Sequence, residues 1–170
     1  MIALMLSEYK RALKFLSWGP WEVEKGAIYY NLGATYLSLG EYEEAEKYLL
    51  KDTSSVMGFL HLHKCALLYH RTGRKEEAQK TLEKMQPDPS FPLESLLYKA
   101  LVVEMTEGHS KRLMELLEEL MEIFIKTNRF GFMNFFKPLL IDVYQKHRQY
   151  KKALAFSRSF SRKDLEMLFK

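Results

Sequence analysis

The sequence predicts an all-α protein, a right-handed α-solenoid of antiparallel helix pairs, and three observations predict it. A short pattern returns: YLSLGEYEEA at Tyr36–Ala45 reappears as YHRTGRKEEA at Tyr69–Ala78, with the Gly, both Glu and the Ala in register. Ala12, Ala45 and Ala78 stand 33 residues apart, as do Tyr9 and Tyr42, and Tyr36 and Tyr69. A period of this size marks stacked supersecondary units. The 170 residues hold only 8 Gly and 5 Pro. Val is scarce and Asn-Gly hairpin signals are missing, so helices are favoured over strands.

Each part of the repeated step has a local reason. Gly40 and Gly73 end a helix in a left-handed conformation that Gly adopts cheaply. The next helix starts within a few residues and runs back antiparallel. Ala45 and Ala78 sit where the two helices approach most closely, where a larger side chain would push them apart. The Tyr four residues before each Gly packs into the hairpin.

In chain order, Ser7–Leu16 is the second half of a repeat without a first half. Two full copies follow, centred on Gly40 and Gly73. The segment Pro87–Pro92 holds three prolines and cannot continue a helix, so it connects repeats. Its six residues are too few for a flexible linker, and a single domain over 1–170 is expected. Pro92–Glu107 is a helix carrying Ala100 and ended by Gly108. Lys111–Thr127 is its long partner, with Leu113, Leu116, Leu117, Leu120, Met121 and Phe124 at helical spacing and Leu113 in the place of the Ala. A fourth copy runs from Phe132 to Lys146 and on to Tyr150 and Ala153, with Arg148 in the place of the Gly. Ser161–Leu165 starts a further helix with nothing to pair with. The expectation is about four helical hairpins, a half repeat at the front and an unpaired helix at the back. Neither end carries the polar cap that closes a solenoid. The chain is therefore expected to be part of a longer protein, or to have its ends covered by a partner or by self-association.

Tyr29, Leu32, Gly33, Tyr36, Gly40, Tyr42, Ala45 and Leu49, followed more weakly by Leu62, Cys65, Ala66, Tyr69, Gly73, Ala78 and Leu82, resemble the tetratricopeptide repeat pattern. The resemblance is strong over 26–85 and looser beyond. It implies a groove lined by the first helix of each repeat, and it places residues there by register: Tyr30 and Asn31 from the first copy, His63, Lys64, His70 and Arg71 from the second, Tyr98 and Lys99 from the third, Asp142 and Lys146 from the fourth. That set is basic, with Asp142 its one acid. Asn31 can hydrogen-bond a peptide backbone or a carboxylate, and Tyr30 and Tyr98 add amphipathic contact area. An extended peptide or protein segment, acidic or with a free C-terminus, suits such a groove. The Tyr-rich, irregular repeats are also similar to the repeat domain of Gram-positive quorum-sensing peptide receptors. That likeness implies a signalling-peptide sensor in a bacterial regulator. The alternatives are a generic scaffold, or a chaperone adaptor with a carboxylate clamp.

Composition excludes other classes. There is no Gly-rich phosphate loop, no Gly-x-Ser-x-Gly and no His-Glu-x-x-His, so no enzyme and no cofactor is expected. His61 and Cys65 share a helix face at i, i+4, but Cys65 falls on a core position and reads as a small buried hydrophobe rather than a metal ligand. Glu43-Glu44, Glu76-Glu77 and Glu118-Glu119 read as solvated helix faces. The aromatic run over Asn128–Phe136 reads as core, with an exposed binding patch as the alternative. One cysteine rules out an internal disulfide framework and suits a reducing cytoplasm. No apolar run is long enough to span a bilayer, and no membrane partner is expected. Net charge is +4. The excess lies in 145–170, where eight basic residues face Asp164 and Glu166, and nucleic-acid binding there is the weaker alternative.

Overall fold

The computed structural model describes residues 2–19, 22–51, 58–159 and 162–169. Among them are ten helices and no strand: α1 (Ile2–Leu16), α2 (Glu22–Ser38), α3 (Tyr42–Leu49), α4 (Phe59–Arg71), α5 (Lys75–Lys84), α6 (Pro92–Glu107), α7 (Lys111–Lys126), α8 (Phe130–Lys146), α9 (Tyr150–Arg158) and α10 (Arg162–Leu168). The all-α expectation holds. The chain forms two compact units, Met1–Gln86 and Pro87–Lys170, and the division falls at the proline-rich connection.

One turn geometry builds most of the hairpins. After α2, the Glu41 N–H donates to the Tyr36 carbonyl at 3.0 Å and the Gly40 N–H to that of Leu37 at 3.2 Å, with Gly40 at φ +77°. This pair of bonds is the Schellman closure, which satisfies carbonyls that a helix end would leave open. The same pair recurs after α4 through Arg74 and Gly73, after α7 through Arg129 and Asn128, and after α8 through Gln149 and Arg148. Asn128 (φ +56°) and Arg148 (φ +57°) hold the left-handed conformation without being glycine.

The aromatic that accepts the long bond is Tyr36, Tyr69, Phe124 and Tyr144 in turn. Nine residues further on stand Ala45, Ala78, Met133 and Ala153, all buried. The fourth copy thus keeps its register with Arg148 in the glycine position. Arg148→Gly is expected to stabilise the protein by about 1 kcal/mol, because a side chain in the left-handed region costs about that much. The check is the midpoint of urea unfolding, which should rise with no change in slope.

In the first unit, α2 and α3 form the tightest pair. A Cβ placed on Gly33 would lie 2.5 Å from Leu49 Cγ, so the small residue sets the closeness of the two helices. Tyr48 of α3 stacks on Tyr36 at 5.8 Å and on Tyr29 at 6.3 Å. Arg74, at the start of α5, reaches back to Glu46 of α3 with two bonds of 2.7 and 3.0 Å and covers the Tyr69 ring. The pair is fork-to-fork, the strong form of such a bond, though half exposed.

In the second unit, α6 packs on α7, α7 on α8 and α8 on α9. The α6–α7 connection differs from the others. Gly108 has φ +61° and ψ −143°, and Ser110 caps α7 by accepting the Leu113 N–H at 3.1 Å. Pro138 lies inside α8 and removes the donor for the Asn134 carbonyl. Both residues are exposed. Helix α10, expected to stand unpaired, packs on α7 and α9. Leu165 is buried, and Phe169 meets Phe156 edge-on at 5.2 Å. An apolar face of this kind finds cover wherever the neighbouring helices leave a groove.

Of the run over 128–136, the last apolar residues reach the core, while Asn128, Arg129, Gly131 and Asn134 are exposed. Phe130 opens α8; Met133, Phe135 and Phe136 are buried, and Phe132 stacks on Phe124 at 5.5 Å. Glu118 departs from the solvated-face reading. It is half buried and accepts from the Tyr144 hydroxyl and from Lys152, each at 2.8 Å, so one carboxylate ties α7 to α8 and α9. Burial, then the bond to Glu118, raises the Tyr144 pKa.

Candidate functional site

In the first unit, α2 and α4 pack side by side and carry six of the ten predicted groove residues. The two helices are brought together because each is the first member of a hairpin with the same turn and the same small residue opposite. Tyr30 of α2 faces His61 of α4, with ring centroids 6.4 Å apart. Tyr30, Asn31, His70 and Arg71 are half buried. Burial raises the Tyr30 pKa, so its hydroxyl stays a neutral donor.

His63 and Lys64 behave otherwise. They retain 1% and 2% of their surface, so neither is presented to a ligand as the repeat register implied. Lys64 Nζ lies 3.5 Å from His63 Nδ1. Burial, and after it the charge of Arg71, pushes the Lys64 ammonium down to about 7. Burial also lowers His61 and pushes the Cys65 thiol up to about 12. A thiol so far from its thiolate is a poor nucleophile and a poor ligand. Among the described residues, no group of three or more His, Cys, Asp or Glu could hold a metal ion.

The second unit arranges its four predicted residues differently. Tyr98, half buried, and Lys99, exposed, lie on α6; Asp142 and Lys146, both exposed, lie on α8. Helices α6 and α8 both pack on α7 and make no contact with each other. The side-by-side placement of first helices seen for α2 and α4 is therefore not repeated there. Phe135 of α8 is buried.

The family model of the tetratricopeptide repeat matches residues 26–51 and 62–85. These two segments are tetratricopeptide repeats. They take in most of α2 and α3, then of α4 and α5, so the matched boundaries agree with the helix pairs that the Gly40 and Gly73 turns close. No curated protein and no solved structure matches the chain. Tetratricopeptide repeats mediate protein–protein interaction, and the arrangement offers what that needs: rigid helices presenting aromatic, amide and cationic groups in fixed register. Among the described residues, no helix is long and apolar enough to cross a membrane.

Sequence reasoning missed two parts of this chemistry. It did not find Glu118 as a three-helix tie, since the residues that converge there lie 26 and 34 positions away. It did not find the enclosure of Lys64. The one signal for it was the apolar flank Cys65-Ala66-Leu67-Leu68, which allows no wholly solvated face on α4.

Proposed function

We propose that this protein is a non-enzymatic binding module that takes an extended peptide or protein segment on the α2/α4 face of its tetratricopeptide repeats. The observation that supports the reading most is the adjacency of α2 and α4, with Tyr30, Asn31, His70 and Arg71 partly open along it. Asn31 offers a donor and an acceptor to a peptide backbone, and Arg71 a planar fork to a carboxylate. Tyr30 and His70 supply flat contact area at low entropic cost. The carboxylate comes from an acidic side chain or a free C-terminus. A signalling peptide in a bacterial regulator and the C-terminal tail held by a clamp-type adaptor are two forms of the same chemistry.

The test is a thermal-shift screen with pools of short peptides bearing free or amidated C-termini. A stabilising peptide is expected to lose at least about tenfold in affinity on Arg71→Ala or Asn31→Ala, about 1.4 kcal/mol each. Lys99→Ala should leave it unchanged. A peptide whose effect needs the free carboxylate selects the clamp form; one that acts equally when amidated selects side-chain or backbone recognition. Stabilisation untouched by either α2/α4 variant would move the site elsewhere.

A further inference from the structure

The two units share one side-chain arrangement. In the first, Glu46 of α3 accepts both arms of the Arg74 guanidinium, at 2.7 and 3.0 Å, and the guanidinium carbon lies 4.7 Å from the centre of the Tyr69 ring. In the second, Glu118 of α7 accepts from Lys152 Nζ at 2.8 Å, and that ammonium lies 5.5 Å from the centre of the Tyr144 ring. Tyr69 and Tyr144 are the aromatics whose carbonyls close the turns after α4 and α8. In both units, then, a carboxylate on one second helix holds a cation at the start of the next second helix. The cation in turn covers the turn aromatic of the first helix that lies between them in the chain. Arg74 stands five residues after its tyrosine and Lys152 eight after, so the repeat spacing does not account for the likeness.

The first of these clasps borders the α2/α4 face. Arg74 Nε donates to Thr72 Oγ1 at 3.1 Å, and that hydroxyl donates to the Leu68 carbonyl at 2.8 Å. Arg74 thus grips the end of α4, which carries His70 and Arg71. Tyr69 and Thr72 lie about 200° and about 100° around the helix from Arg71, so the grip comes from another side of the turn. The far end of the clasp is on α3, which is seated on α2 by the close approach of Leu49 to Gly33. The Glu46–Arg74 pair therefore joins the two hairpins whose first helices form the face. Its side chains are half exposed, so its share in stability is small. A fork of two parallel bonds fixes direction as well as distance. A recognition site needs its groups held within about 0.5 Å and about 10–20°.

We propose that Arg74 is a positioning residue for the α2/α4 site: its fork to Glu46 sets the angle between the first and second hairpins, and so the separation of Asn31 from Arg71. The role in the site rests on the peptide-binding reading of that face. The angle itself can be measured without any ligand.

The experiment uses the whole chain with nitroxide labels on Glu43→Cys and Glu76→Cys, exposed positions of α3 and α5. Cys65 is buried and stays unlabelled. Pulsed dipolar spectroscopy reads the distance distribution between the two hairpins. Arg74→Gln is expected to widen it at least about twofold. Glu46→Gln, which breaks the same fork from α3 and leaves the turn after α4 untouched, should widen it as much. Arg74→Lys, which keeps the charge without the fork, should not restore the narrow distribution. Lys152→Gln, in the second unit, should leave it unchanged. Unlabelled wild type, Arg74→Gln and Glu46→Gln are then heated with the pool of short free-C-terminus peptides as the probe. The rise in melting temperature over each protein's own unliganded value should fall by at least about half in both variants. Circular dichroism checks that they stay folded. An unchanged distribution in Glu46→Gln overturns the proposal. So does a wider distribution with the peptide effect intact, since the angle would then not matter to the site. A pool that stabilises none of the three proteins, with the distribution widened, removes the peptide reading and Arg74's part in it, and leaves the fork a structural role alone.

Discussion

Between about pH 7 and about pH 9, Lys64 is expected to make the protein more stable with rising pH, by as much as about 1.4 kcal/mol per pH unit. An ordinary lysine titrates near 10.5, whereas enclosure and the neighbouring Arg71 bring Lys64 down to about 7. In the window between those values the unfolded chain holds a proton on this side chain and the native protein does not. Unfolding then takes up a proton, and stability rises with pH. Below pH 7 both states carry the proton and the contribution is flat. The measurement is urea unfolding at several pH values across the window, on wild type and on Lys64→Met. Other groups titrate in the same range, so the difference between the two proteins isolates Lys64. Equal slopes in the two proteins would show that the lysine keeps its charge inside the fold.

The same residue marks where the sequence stops being legible. The repeat register correctly put Lys64 on α4, a first helix of a repeat. A lysine at such a place normally reaches water, because its long stem lets the head group snorkel. Whether it can do so depends on everything packed around the helix, and no spacing rule encodes that. The hairpin turns were legible for the opposite reason. They are local: an aromatic, a left-handed residue four positions on and a small residue nine positions on determine the geometry almost alone. Tyr36-Gly40-Ala45 and Tyr69-Gly73-Ala78 state that rule in full, and Tyr144-Arg148-Ala153 states it with one substitution. The turn after α7 obeys the same rule as Phe124-Asn128-Met133 and escaped notice, since all three residues differ from the pattern while the backbone does not. Asn tolerates the left-handed region better than other non-glycine residues, which is why that turn survives without a glycine. The adjacency of α2 and α4 followed from this local rule. No such adjacency of α6 and α8 arises, and there the repeat spacing had already loosened.

Phe124→Ala is expected to be the most damaging single truncation in the second unit, at about 3–5 kcal/mol. The ring is wholly buried and lies within 5.5 Å of Phe132 and 6.0 Å of Phe136, centroid to centroid. It stands at the α7 end, where its carbonyl accepts the Arg129 N–H at 2.8 Å and closes the turn into α8. Removing it opens a cavity beside two rings that cannot readily collapse into the space, since both are fixed on α8 one turn apart. Against a typical domain stability of about 5–15 kcal/mol, the loss is enough to unfold much of a marginal helical array. Tyr69 occupies the matching place after α4 but is half exposed, with Arg74 across its face. Tyr69→Ala should therefore cost clearly less, about 1–2 kcal/mol, because less surface leaves water and solvent fills the gap. Paired urea curves test the contrast, and hydrogen exchange locates it: the amides of α7 and α8 should lose protection in Phe124→Ala. Costs that are equal, or reversed, would mean that the aromatic serves chiefly to close the turn, with the stack of rings adding little.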